Sequence, residues 1–232
     1  MDLQLQGKRA LVTGGSKGIG KAIALALARE GVDVALLARG EAALASAAAE
    51  LSAATGRQVV GVRASTTDAT QVQAAVASAV QQLGGPMDIL VNAAAEPAGF
   101  AAPPTVTQIE AGFFQAEMDT KVMGYLRCAQ AVIPGMQAGG WGRIVNISGL
   151  AARQTGNAVG SMRNVAVAAR AAAAGVPAAQ LEAQMAAGNS IQHLVDASEV
   201  ADVVVFLCSP RSRAINGDAI AAGGGVPKAI HY

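Results

Sequence analysis

The stretch "TGGSKGIG" at residues 13–20 constrains this chain more than any other. It follows an apolar run, "RALVTG" (9–14), and opens a helical pattern, "GIGKAIALALAREG" (18–31), closed by Gly31. Gly14, Gly18 and Gly20 suit a tight turn, close approach of the backbone to a pyrophosphate, and close helix–strand contact. The helix start adds free N–H groups and a partial positive charge. At the first strand–helix junction of a βαβ series this pattern predicts a dinucleotide loop rather than an ordinary glycine turn.

The rest of the first 150 residues keeps that rhythm. Strands are predicted at 33–39, 58–63, 87–93 and 142–148, and helices at 41–55, 68–84 (capped by Asp68) and about 107–136. Near-continuous Val, Ile and Leu in the strands, joined by helices, imply buried parallel pairing with right-handed crossovers. The expected fold is α/β: a Rossmann-type doubly wound parallel sheet with helices on both faces, as a single domain over 1–232. A helix at 198–210, capped by Ser198 and ended by Pro210, and a last strand at 218–225 complete it.

Composition narrows the function. Hydrophobic residues are 52%, charged residues 14% and aromatics 3%, so the chain folds around a core of small side chains. The net charge is +1 with no basic block, which argues against nucleic acid as a partner. No apolar run is long enough for a membrane span, and the N-terminus lacks the pattern of a signal peptide. Cys128 and Cys208 show no metal-ligand spacing and read as buried thiols, and no metal site is expected. The expectation is a cytoplasmic protein with a small-molecule substrate and no nucleic-acid or membrane partner.

The end of the second strand bears on which dinucleotide is held. A site for NAD wants a carboxylate there for the ribose 2′-OH. This chain has Ala38 and then Arg39, with Lys17 in the loop nearby. Two cations suit a 2′-phosphate, so NADP is expected over NAD. The alternative for Arg39 is a solvated charge at a strand end.

With these residues in view, the chain resembles the short-chain dehydrogenase/reductase family. "TGGSKGIG" resembles the family loop, "MDILVNAAA" (87–95) its fourth-strand motif, and "GRIVNISG" (142–149) its fifth strand. "ASEVADVVVFLCSP" and "INGDAIAAGGG" (215–225) are similar to its C-terminal helix and last strand. The resemblance implies that Gly14, Ser16, Lys17, Gly18, Ile19 and Gly20 line the cofactor phosphates. It implies further that Ser65 lies toward the adenine, and that Asn92, Ala93 and Ala94 lie along the cofactor. It also implies a homodimer or homotetramer built through the long fourth and fifth helices, and hydride transfer between nicotinamide and a small carbonyl or alcohol.

The family's four catalytic groups depart here. Lys121 stands for the usual Asn, Gly149 for the Ser, Gly160 for the Tyr and Asn164 for the Lys. The only tyrosines are Tyr125 and Tyr232, and no lysine lies between Lys121 and Lys228. Lys121 is the candidate for the proton role, since a desolvated lysine can act as acid or base. Its alternative is a plain ion pair. Tyr125, one turn on, shares its predicted face, and Ser161, Arg163 and Arg153 are nearby polar candidates.

Two readings follow: an NADP(H)-dependent oxidoreductase with non-standard catalytic residues, or a catalytically silent NADP(H)-binding or assembly protein. After Ala169 the expected strand is not readable. The segment to Ser198 is helical and broken at Gly175–Pro177, so a segment is expected to be omitted or deleted near 169–170.

Overall fold

A computed structural model describes residues 1–95, 107, 110–149, 167, 171–172 and 174–225 of the 232. In chain order the elements are β1 (Arg9–Thr13), α1 (Gly18–Arg29), β2 (Asp33–Ala38), α2 (Glu41–Thr55), β3 (Val59–Arg63), α3 (Ala69–Leu83) and β4 (Ile89–Asn92). Then come α4 (Ala111–Met118), a π-helical turn (Asp119–Met123), α5 (Gly124–Ala138), β5 (Arg143–Asn146), α6 (Ala178–Ala187) and α7 (Ala197–Cys208).

Among the described residues five strands form one parallel sheet in the order β3-β2-β1-β4-β5. Alternation along each strand divides the core. Ala10, Val12, Val34, Leu36, Ile89 and Val91 face α1, α2 and α7. Leu11, Ala35, Leu37 and Leu90 face α3 and α5. Central strands buried on both faces account for the continuous apolar runs. Small side chains set the close packing of α7 on α1: Ala24 and Ala28 on one helix, Ala201 and Cys208 on the other, are fully buried. Both cysteines are buried thiols on helices, and burial pushes Cys128 up to about 11 and Cys208 up to about 12.

Caps behave as side-chain chemistry dictates. Asp68 caps α3 by accepting from the Gln71 N–H at 3.0 Å, and α2 and α3 end on left-handed Gly56 and Gly84.

Several boundaries differ from the sequence reading. The cap of α7 is Asp196, not Ser198: Asp196 and Glu199 form a reciprocal capping box, with the Asp196 N–H donating to Glu199 at 2.7 Å. The long helix starts at Ala111, runs to Ala138 and contains the π turn. Residues 218–225 form no strand. Gly224 and Gly225 both have φ of 70°, outside the extended region, and their carbonyls accept from Ile191 and Ser190 at a turn. Gly160, Asn164, Arg153, Ser161, Arg163 and the 169–170 junction lie outside the described residues. Among the described residues no helix is long and apolar enough to cross a membrane.

Candidate active site at the carboxyl edge of the sheet

Because all five strands are parallel, Thr13, Ala38, Arg63, Asn92 and Asn146 end them along one edge. The chain leaves β1 for α1 on one face, and leaves β4 for α4 and α5, of which α5 packs on the other. The crevice at that reversal, between β1 and β4, is where an open α/β sheet binds ligands.

The loop from β1 fills one wall. Gly14 has φ +68°, and a Cβ there would lie 2.8 Å from the Ala93 carbonyl oxygen. Gly20 packs so closely that a Cβ would collide with the Gly14 carbonyl oxygen. Gly18 is exposed with φ +57°, and a Cβ on it would meet nothing within 4 Å. The positive φ, not a close neighbour, is what calls for glycine there. Lys17 caps α1 without a side-chain hydrogen bond, and no acidic residue stands in the first turn. The helix dipole and its leading N–H groups therefore remain for an anion. Ser16 and Ile19 are half-buried in the same loop, and the Lys17 side chain is exposed. These features fit a dinucleotide pyrophosphate.

On the β2 and β3 side, Arg39 is exposed just past β2, and its carbonyl accepts from Arg63 Nε at 3.2 Å. The Ala64 N–H donates to the Ala38 carbonyl at 3.1 Å, which holds the β3 loop beside Arg39. Ser65 is half-buried; its N–H donates to Gln71 Oε1 and its hydroxyl pairs with Thr67 at 2.7 Å.

On the β4 and β5 side a polar row crosses the sheet, buried at Thr13 and Asn92 and exposed at Asn146: Thr13 is in register with Asn92, and Asn92 with Asn146. Thr13 Oγ1 accepts from both the Ala93 and Ala94 N–H groups at 3.0 Å. Asn92 Nδ2 donates to Asn146 Oδ1 at 2.9 Å, and the buried Asn92 Oδ1 has no hydrogen-bond partner. The Tyr125 hydroxyl reaches the Ala94 carbonyl at 3.1 Å and the Ile147 carbonyl at 3.0 Å. Burial pushes its phenol up to about 12. Thr13 and Asn146 were not singled out from sequence. For Thr13 the signal was available, a polar residue closing an otherwise apolar buried strand; Asn146, exposed at the end of the half-exposed β5, carries no such signal.

Lys121 lies in the π turn, which inserts a residue into the helical repeat. Lys121 Nζ pairs with Glu117 one turn back, and its side chain is 43% exposed. Tyr125 instead turns to the sheet, so the two do not work as a pair. Arg127 braces the turn, bonding the Asp119 carboxylate at 2.7 Å and the Thr66 carbonyl of the β3 loop at 3.2 Å. The structure thus joins the loop Gly14–Gly20 directly to Ala93, and Asn92 and Ala94 to Tyr125. It places Arg39 and Ser65 on the adjacent strand ends and Lys121 on a separate helix.

Comparison with known proteins decides the family. The model for short chain dehydrogenases matches residues 8–196. The chain belongs to the short-chain dehydrogenase family. It is similar to an uncharacterised oxidoreductase of Methylorubrum extorquens, 32% identical across 96% of this chain and 99% of that protein. A 3-oxoacyl-[acyl-carrier-protein] reductase of Staphylococcus aureus is 29% identical across 94% and 98%. Among solved structures, L-sorbose reductase from Gluconobacter frateurii, complexed with NADPH and L-sorbose, superposes with a TM-score of 0.88. It is 27% identical and is covered in full by 99% of this chain. The doubly wound fold expected of a short-chain dehydrogenase is therefore the fold observed.

Proposed function

We propose that this chain is an NADP(H)-dependent oxidoreductase acting on a small carbonyl or alcohol, with Lys121 in the proton role. The observation that carries the reading is an α1 start with no side-chain cap, set behind a loop whose Gly14 and Gly20 pack too closely for a Cβ. A nicotinamide dinucleotide would supply or accept the hydride. Gly14, Ser16, Lys17, Gly18, Ile19 and Gly20 would hold its phosphates, Arg39 a 2′-phosphate, and Ser65 the adenine side. Asn92, Ala93 and Ala94 would line the other half. The NADPH complex of the related L-sorbose reductase supports this choice of cofactor.

The proton must come from an ionisable side chain. Tyr125 is unsuited, because its hydroxyl is committed to two carbonyl oxygens and its phenol is hard to ionise. Lys121 Nζ pairs with Glu117 on the same helical stretch and its side chain is partly exposed, so it is not the desolvated lysine expected from the sequence, and its role rests on its place in the family pattern. In this reading Lys121 Nζ gives a proton to a carbonyl oxygen on reduction and takes it back from the alcohol on oxidation.

The second reading is a catalytically silent NADP(H)-binding or assembly protein, favoured by the binding role of the Tyr125 hydroxyl and the departures at Gly149, Gly160 and Asn164. NADPH oxidation across a panel of small aldehydes, ketones and polyols separates the two. The oxidoreductase reading predicts turnover with at least one substrate, and a loss of about 10²–10⁴-fold in Lys121→Ala with NADPH affinity kept. NADPH binding without turnover across the panel would establish the silent protein. Undiminished turnover in Lys121→Ala would remove Lys121 from the proton role.

A further inference from the structure

We infer that Tyr125 is a positioning residue that fixes the nicotinamide half of the crevice by tying the loop after β4 to the loop after β5. This rests on the dinucleotide reading above. The last ladder bond between these strands runs from the Ile147 N–H to the Asn92 carbonyl at 2.9 Å. Past it, nothing in a parallel ladder holds the two chains together. The Tyr125 hydroxyl stands at that point, between the Ala94 and Ile147 carbonyls at 3.1 and 3.0 Å. One phenolic proton is shared between two acceptors, so neither carbonyl is left without a donor.

The tie is braced from both sides. The Tyr125 backbone carbonyl accepts from Asn92 Nδ2 at 3.4 Å, and that same amide reaches Asn146. Across the crevice, Thr13 Oγ1 takes the Ala93 and Ala94 N–H groups. Ala94 is therefore held by its N–H from β1 and by its carbonyl from α5. The Ala93 and Ala94 N–H groups are spent within the protein, so the loop presents a fixed apolar wall rather than donors. Arg39 and Ser65, at the ends of β2 and β3, make none of the hydrogen bonds of Tyr125, Thr13 and Asn92 named above.

That asymmetry makes the role testable. Tyr125→Phe keeps the ring and removes only the tie. Calorimetric titration with NADPH and with 2′,5′-ADP, which lacks the nicotinamide half, reads the two halves of the crevice separately. Tyr125→Phe is expected to weaken NADPH about tenfold and to leave 2′,5′-ADP unchanged. Equal weakening of both ligands, as from a merely structural role, or unchanged NADPH affinity would overturn the inference. Failure of the unsubstituted protein to bind NADPH would instead overturn the dinucleotide reading.

A second measurement keeps Tyr125 intact. In the Tyr232→Phe protein Tyr125 is the sole phenol. The tyrosine doublet of its Raman spectrum is expected to show a phenol that donates a hydrogen bond. A doublet characteristic of a phenol that only accepts would contradict the tie.

Discussion

At the scale of single residues, the cofactor loop shows why glycine is needed at particular places. Gly14 carries both a positive φ and a close neighbour, the Ala93 carbonyl. Gly14→Ala is therefore expected to destabilise the fold by about 1–3 kcal/mol and to weaken NADPH binding, as read by denaturant unfolding and titration. This glycine was legible from spacing alone. Tyr125 was legible only as a residue one helical turn from Lys121. Its actual partners, the Ala94 and Ile147 carbonyls, come from other segments, and no local pattern encodes a contact across 22 or 31 residues.

At the scale of elements, the strands and first three helices lie within a residue or two of their predicted bounds, since apolar periodicity and caps are local signals. Two features were not legible. The π turn at Asp119–Met123 has no turn residue or break to announce it, and Arg127 braces it from outside the turn. The expected strand at 218–225 had the right composition, but a strand needs a ladder neighbour, and the sheet among the described residues ends at β5.

The capping box of α7 adds a pH dependence. Glu199 accepts first from the Asp196 N–H and then from His193, which hold its carboxyl below the ordinary 4.5. A carboxylate lowered in the folded state stabilises fully above the unfolded value and loses that contribution as pH falls through the folded one. The helix should therefore weaken below pH 4.5. Urea midpoints at about pH 6 and about pH 3.5 should differ less in Glu199→Gln than in the unsubstituted protein. An unchanged difference would remove Glu199 from that role.

At the scale of the whole molecule, the fold class and the carboxyl-edge crevice follow from βα alternation, whereas assembly does not. Phe113, Phe114, Met118, Val122, Met123 and Leu126 leave an apolar stripe exposed along α4, the π turn and α5. We assign this stripe to the contact of a homodimer or homotetramer. Phe114→Glu is expected to shift light-scattering mass toward the monomer, and an unchanged mass would place the contact elsewhere. The segment expected to be omitted or deleted near 169–170 falls outside the described residues.

The central claim is that the edge built by Gly14–Gly20, Arg39 and Asn92–Ala94 binds a dinucleotide bearing a 2′-phosphate. Parallel calorimetric titrations with NADPH and NADH test it most directly. The cations Lys17 and Arg39, both exposed at strand ends or loops of this edge, predict that NADPH binds at least about tenfold more tightly, the effect of a charge-assisted bond to the phosphate. Equal or tighter binding of NADH, or no binding of either, would contradict it.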